Sequence, residues 1–140
     1  MNPRKTPCSI CPYRIDCESG IWHREEYEKL PRYDAETGEQ PTGVFLCHTD
    51  QHEMCRGWLD THDKRELLSL RLAISLGNCS PDIMDLPPGG VAVFESGAAA
   101  CRNGIAKLDR PSEKALKAIR GLTNRRSRKK STKRGCSNRG

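Results

Sequence analysis

Aromatic residues are scarce in this sequence, and long hydrophobic runs are absent. Only 7 of the 140 residues are Phe, Trp or Tyr, and hydrophobic residues of all kinds make up 35%. A small domain buries a small share of its surface, so a core this lean needs another source of stability, such as disulfides or a metal ion. No stretch approaches the ~18 apolar residues of a membrane span, so no transmembrane helix is predicted.

Cysteine is abundant where aromatic residues are scarce. The sequence has eight cysteines, at positions 8, 11, 17, 47, 55, 79, 101 and 136. The N-terminal segment has no apolar run after its charges, so we expect no secretory signal and a cytoplasmic protein. Thiols stay reduced in the cytoplasm, and closely spaced cysteines there indicate metal ligation. An oxidised disulfide framework is the alternative.

The spacing of four cysteines predicts a metal centre. Cys8 and Cys11 form a C-x2-C pair, and Cys47 and Cys55 supply a second pair. Four soft thiolates suit tetrahedral zinc at ~2.3 Å per sulfur. Neighbouring residues on an extended segment point in opposite directions, so one of Cys47 and His48 should face the ion. We expect Cys47 to do so, with His48 in reserve as a residue behind the ligands or on the surface.

A fifth cysteine keeps an iron–sulfur cluster open as the alternative to zinc. Cys17 extends the first pair to C-x2-C-x5-C, and Pro12 directly follows Cys11. Thiolate sets with a nearby proline occur around iron–sulfur clusters. The string CSICPYRIDCESGIW resembles the cluster-binding segment of the WhiB-like regulators, which implies a redox-responsive regulator.

The remaining candidate ligands and catalytic groups are assigned structural or solvated positions. Cys79 and Cys101 are expected to be small buried hydrophobes, and Cys136 is expected to take no part in the metal site. Three further histidines (His23, His52 and His62) and the carboxylates of Glu25, Glu26 and Glu28 are expected to be solvated. A metal-dependent hydrolase would keep an open coordination position and a nearby acid. Glu53 would be that acid only if Cys55 were not a ligand.

Positive charge is confined to the C-terminus. Residues 1–110 hold 13 Lys and Arg against 17 Asp and Glu, a net charge of −4, whereas residues 111–140 hold 11 against one, a net of +10. Such a segment attracts DNA or RNA by releasing counterions from the phosphates. No aromatic residue interrupts it, so we expect weak readout of bases. A solubilising tail and contact with an anionic membrane surface are the alternatives. The expected phosphate contacts are Arg125, Arg126, Arg128, Lys129, Lys130, Lys133 and Arg134.

The hydrophobic periodicity predicts a mainly α fold with at most one small strand pair. Helices are expected over 21–30, over 57–76 with a fresh start at Asp63, from Ser96 to about residue 108, and over 111–122. A short helical turn should begin at Ser80, and residues 44–46 are a candidate strand. We therefore expect an irregular, metal-stabilised domain over 1–123 and a disordered basic tail over 124–140.

A wider set of motifs resembles an uncharacterised family of small proteins from actinobacteria and their phages. The shared pieces are C-x2-C-P-Y-R-x-D, G-I-W, E-E-Y, F-L-C-H and C-R-G-W-L, followed by F-E-S-G-A-A-A-C and P-S-E-K-A. The resemblance implies that the positions of Cys8, Cys11, Cys47-His48 and Cys55 hold a metal. It implies no activity.

The sequence as a whole favours a small zinc-binding accessory or regulatory protein that contacts nucleic acid non-specifically through its tail. An iron–sulfur regulator is the first alternative, and a small metal-dependent hydrolase is the second. No membrane span is expected, and protein partners are not indicated.

Overall fold

The structure is mainly α-helical, as predicted. The computed structural model describes the backbone of residues 1–137 and the side chains of residues 1–128. Its helices are α1 (Arg24–Glu28), α2 (Arg56–Thr61), α3 (Leu68–Ser75), α4 (Gly97–Ile105) and α5 (Glu113–Ser137). Four 3₁₀ segments lie between them, at Leu30–Asp34, Thr37–Glu39, Lys64–Glu66 and Pro81–Asp85. Among the described residues, no helix is both long and apolar enough to cross a membrane.

Side-chain caps begin three of these segments where the sequence predicts a start. The Ser96 hydroxyl accepts a hydrogen bond from the Ala99 N–H at the start of α4, and the Ser80 hydroxyl accepts one from Asp82. The Asp63 carboxylate accepts from the Arg65 N–H. Each cap satisfies a backbone donor that has no partner inside its own helical turn. The predicted fresh start at Asp63 is therefore confirmed.

The strand pair differs from the prediction. It joins β1 (Asn2–Pro3) to β2 (Glu53–Met54) in parallel, and residues 44–46 contribute only an isolated bridge from Leu46 to Met54. The segment lies antiparallel to β2, with the Cys47 N–H donating to Glu53 O and the Cys55 N–H to Phe45 O, both at 2.9 Å. The contact is too short to form a strand, but it holds Cys47 opposite Glu53 and Cys55 opposite Phe45.

The last helix is longer than predicted. α5 continues to Ser137, whereas the periodicity ends near Leu122. Its first turns are anchored because Ala115 is fully buried and Ser112 donates a hydrogen bond from its hydroxyl to Glu18 at 2.9 Å. The disorder expected over 124–140 stays a prediction, and so does the domain boundary at residue 123.

The few aromatic side chains are concentrated in one core. Tyr33 packs edge-on against Phe45 and Trp58, with ring centroids 5.7 and 5.4 Å apart, and Tyr13 packs edge-on against Phe45 at 5.6 Å. Such edge-to-face pairs contribute about 0.5–1.5 kcal/mol each beyond the apolar area they bury. A lean composition therefore still yields a continuous core, because these rings contact one another.

Two glycines of α4 allow it to approach its neighbours closely. A Cβ atom at Gly97 would lie 2.1 Å from Leu30 O, and one at Gly104 would lie 2.1 Å from the Tyr27 ring. The Tyr27 hydroxyl in turn accepts hydrogen bonds from the N–H groups of Ile21 and Trp22, both at 3.1 Å. The packing of α4 on α1 thus also fixes the chain that follows the first cysteines.

We predict that Gly104→Ala destabilises the protein whereas Gly121→Ala does not. Both glycines lie inside helices, but a Cβ at Gly121 meets nothing within 4 Å. Overpacking against Tyr27 should lower the free energy of unfolding by about 1–3 kcal/mol. Gly121→Ala should raise it by up to about 1 kcal/mol through helix propensity. Chemical denaturation of the two variants checks this, and equal stabilities would contradict the packing described.

Candidate metal centre

Three separate stretches of chain supply the four cysteines of the predicted centre. Cys8 and Cys11 flank a tight turn in which the Cys11 N–H donates to Cys8 O at 3.0 Å. Cys47 is held beside β2 by the backbone hydrogen bond to Glu53. Cys55 is the N-cap of α2, and its Sγ accepts a hydrogen bond from the Trp58 N–H at 3.4 Å.

The four thiols are buried and lie near one another. Cys11 Sγ and Cys55 Sγ are 3.7 Å apart. The Cys8 thiol lies close enough to the thiols of Cys11 and Cys47 for both of them to alter its pKa. The exposed fractions of the four residues, in chain order, are 8, 1, 2 and 3%. Residues 47 positions apart in the sequence are thus brought into one buried cluster, which we term the thiol cluster (Cys8, Cys11, Cys47 and Cys55).

One thiol pair of the thiol cluster has the spacing of zinc ligands, but the cluster as a whole is open. Metal–sulfur bonds of ~2.3 Å in a regular tetrahedron give sulfur–sulfur edges of ~3.8 Å, close to the Cys11–Cys55 separation. In the part of the chain that the structure describes, no three His, Cys, Asp or Glu side chains are arranged to hold a metal ion as they stand. Within the described part of the chain, the one thiol–thiol hydrogen bond is that of Cys11 with Cys55, so binding one ion requires Cys8 and Cys47 to move closer to this pair.

The electrostatics of the thiol cluster favour a bound cation. The hydrogen bond with Cys55 and burial raise the pKa of Cys11 well above its ordinary value. The nearby Cys8 thiol, together with burial, raises the pKa of Cys47 to about 12. Buried thiols this close cannot all ionise without a compensating positive charge. A divalent cation would supply that charge and displace their protons.

Gly57 makes room for the thiol cluster, a role that the sequence did not indicate. A Cβ atom at this position would lie 2.5 Å from Cys11 Sγ and 2.8 Å from Tyr13 Cβ. A larger residue at position 57, in the first turn of α2, would push the Cys8–Cys11 turn away from Cys55. Gly57 follows Cys55 by two residues in the sequence, but its close contact is with Cys11 of the first pair.

His48 points away from the thiol cluster. Its Nε2 lies 3.1 Å from Glu26 Oε2, and its ring packs against Trp22 with centroids 4.5 Å apart. Burial lowers the pKa of His48. The structure therefore brings Cys47 into the cluster and places the reserve ligand elsewhere. It also places Glu26, which was expected to be solvated, in a partly buried pair with a histidine.

Cys17 lies near the thiol cluster without joining it. Its Sγ donates to Glu18 O at 3.6 Å, and among the described residues no hydrogen bond links it to another thiol. Burial and then the charge of the Cys8 thiolate raise the pKa of Cys17 to about 12. A fifth buried thiol thus lies within electrostatic range of the first cysteine pair.

Two further cysteines of the described chain are buried outside the thiol cluster. Cys79 and Cys101 are buried free thiols, as expected for small hydrophobes, and the Cys136 side chain lies outside the described residues.

The expectation that His62 is solvated is wrong. Its Nδ1 is 2.8 Å from Trp58 O, and its Nε2 is 2.9 Å from Asp34 Oδ1. The Asp34 carboxylate also accepts hydrogen bonds from the first N–H groups of α4. The His62 ring therefore links α2 to the start of α4.

Comparison with known proteins identifies the family but gives no activity. A family model for DUF6283, a family of unknown function, matches residues 3–126. The chain belongs to this family. No curated protein and no solved structure matches it. The DUF6283 match includes the whole thiol cluster and extends into α5 as far as Arg126.

The predicted phosphate contacts lie partly within the described side chains. Arg125, Arg126 and Arg128 are exposed on α5. The other four predicted contacts lie outside the described side chains: Lys129, Lys130, Lys133 and Arg134.

We predict that Gly57→Ala opens the thiol cluster. The added methyl group would overlap Cys11 Sγ, so the turn or α2 must shift and the thiols must become more accessible. Alkylation of native protein, mapped by mass spectrometry, should label Cys11 and Cys55 faster than in the parent chain. Gly43→Ala is the control, because a Cβ at Gly43 meets nothing within 4 Å. Unchanged labelling of both thiols in Gly57→Ala would contradict the close approach.

Proposed function

We propose that this protein is a small zinc-binding accessory or regulatory protein whose thiol cluster holds one structural metal ion. The observation that carries the proposal is the convergence of four buried thiols from three stretches of chain, one pair of them 3.7 Å apart. Four thiolates are the ligand set of structural zinc sites. Because all four side chains are buried, the ion would have no open position for a substrate, which favours a structural over a hydrolytic role.

A bound ion would add to the folding stability of this chain. The N-terminal turn, the segment around residue 47 and the start of α2 share little regular structure, since the sheet that connects them pairs only two residues per strand. A metal bound by the folded chain alone contributes its binding free energy to stability, on the order of 10 kcal/mol in zinc-finger peptides. The ion would therefore replace the apolar burial that this composition lacks.

We further propose that α5 contacts nucleic acid. Its exposed Arg125 and Arg126 belong to the C-terminal stretch of net charge +10, whereas residues 1–110 carry −4. Phosphate contacts from such a helix hold a protein on DNA or RNA without reading bases. The structure describes this segment as helix as far as Ser137, and disorder after Asn124 in the free protein stays a prediction of the sequence. An actinobacterial or phage origin and a cytoplasmic location stay predictions of the sequence.

The position of Cys17 keeps an iron–sulfur regulator as the second candidate. A fifth buried thiol within range of Cys8 could replace a ligand when a larger cluster is bound. Against this, the 3.7 Å separation of Cys11 and Cys55 suits two ligands of one ion, whereas in a 4Fe–4S cluster each cysteine binds a different iron and the ligand sulfurs lie further apart. The colour of anaerobically purified protein separates the two: zinc gives a colourless protein, and a cluster gives a brown one.

We predict that the metal is required for folding. Strong chelation, or Cys11→Ser, should abolish cooperative thermal unfolding, because the three stretches of chain would lose their common ligand. Cys79→Ser is the matched control: Cys79 is also a buried free thiol, its hydrogen bond to Ser80 O is one that a serine hydroxyl can make, and it lies outside the thiol cluster. Parent-like melting of Cys11→Ser, with the control also intact, would show that the site is not structural.

We predict that the chain after residue 124 carries most of the affinity for nucleic acid. Truncation there should abolish binding and leave metal content and melting unchanged. Binding by the full chain should weaken steeply with salt, with a slope near 0.9 per phosphate neutralised on duplex DNA. Fluorescence anisotropy across a salt series measures this. Tight binding of one particular duplex by the truncated chain would move recognition into the metal domain.

A further inference from the structure

The sulfur atoms of the described cysteines form two kinds of hydrogen bond. Cys17 Sγ and Cys79 Sγ each donate to the backbone carbonyl of the following residue, at 3.6 Å. A carbonyl oxygen only accepts, so these two hydrogen bonds require a protonated thiol. Cys55 Sγ, in the thiol cluster, instead accepts from the Trp58 N–H at 3.4 Å. A sulfur that accepts is matched to the deprotonated form, and this is the form that binds metal.

Thr49 brings a hydroxyl group to the thiol cluster. Its Oγ1 lies 3.1 Å from Cys47 Sγ, and among the described residues no other hydroxyl is hydrogen-bonded to a cysteine sulfur. Either atom can donate while Cys47 carries its proton. A metal-bound cysteine has lost that proton, so the hydroxyl must then be the donor. Cys47 in its ligand form thus has a side-chain donor waiting beside its sulfur.

The loop that carries Thr49 is fixed at both ends. The Asp50 carboxylate accepts a hydrogen bond from the His52 N–H at 2.9 Å, and Asp50 O accepts one from the Glu53 N–H at 3.1 Å. The Cys47 N–H closes the loop by donating to Glu53 O at 2.9 Å. The half-buried Thr49 side chain is therefore held near the sulfur by backbone geometry that does not depend on its own hydroxyl.

We propose that Thr49 is a positioning residue of the metal centre, whose hydroxyl donates to the Cys47 thiolate and holds that sulfur for the ion. The inference rests on the proposed zinc site and deepens it by naming a residue beyond the ligands that sets metal affinity. Cys11 and Cys55 already lie at ligand spacing, whereas Cys47 lies outside this pair and needs another group to hold its side chain. Hydrogen bonds to an ionised acceptor are roughly twice as strong as neutral ones.

The test compares the zinc affinities of the full-length parent, Thr49→Val and Thr49→Ser by competition with a chromophoric chelator under reducing conditions. Valine keeps the branched shape and removes the donor, so zinc should bind about ten-fold more weakly, the lower end of the range for residues that bond to metal ligands. Serine keeps the hydroxyl and should restore most of the parental affinity. Thr37→Val is the control, because the Thr37 hydroxyl also donates a hydrogen bond, to Glu66 O at 2.9 Å, but outside the thiol cluster.

The spectrum of the cobalt(II)-loaded protein gives a readout that a loss of stability alone would not move. Its sulfur-to-metal charge-transfer band depends on the electron energy at the ligand sulfurs, which hydrogen bonds to them lower. Thr49→Val should shift this band to longer wavelength, whereas Thr49→Ser and Thr37→Val should not. If Thr49→Val fails to fold, Thr49→Ala also removes the donor and should show the same weaker binding and the same shift.

The outcomes separate this inference from the zinc site on which it rests. Parental zinc affinity without the hydroxyl would overturn the inference and leave the site standing. Weaker binding with an unshifted band would also overturn it, because the residue would then act through the fold alone. Equally weak binding by Thr49→Ser and Thr49→Val would do so as well, since the methyl group rather than the hydroxyl would matter. A parent chain that binds no zinc would overturn both.

Discussion

The burial of four neighbouring thiols is the constraint on which the rest of this structure depends. Protonated thiols hold one another weakly, and thiolates repel, so the cluster gains strong cohesion only with a cation among them. The cysteines come from the N-terminal turn, the stretch before β2 and the first residue of α2. In the proposed metal-bound form, one ion would join these three stretches, which lie around the aromatic core. A small domain with few apolar residues to bury would gain stability in this way.

Packing around the thiol cluster is close because glycine residues, which have no side chain, lie at two of the contacts. Gly57 lets α2 approach the first cysteine pair, and Gly104 lets α4 approach Tyr27. A buried ion pair between Arg56 and Asp60 ties down the surrounding chain, since Arg56 donates to the carbonyls of Arg4 and Pro87 and Asp60 accepts from the Gly89 N–H. Without those backbone hydrogen bonds, a buried charge pair would cost more than it contributes. The buried Arg56–Asp60 pair thus holds the N-terminal segment and the loop at residues 87–89 in place.

The sequence could predict those features that depend on neighbouring residues. Ser80, Ser96 and Asp63 begin helical segments because a cap bonds to an N–H two or three residues away, and this is visible in the local sequence. The proximity of the two cysteine pairs was also predictable, because close cysteine pairs in one small chain are typical of ligands that share an ion. The surroundings of His48 and His62 were not, since their partners Glu26 and Asp34 lie 22 and 28 residues away.

The central proposal is one metal ion held by four sulfur atoms. X-ray absorption at the metal edge of the purified protein tests it most directly. We expect one zinc per chain, surrounded by four sulfur atoms at ~2.3 Å and by no nitrogen. That result would place Cys47 rather than His48 in the coordination sphere. A shell of mixed sulfur and nitrogen, short iron–iron distances, or a folded protein without metal would contradict the account.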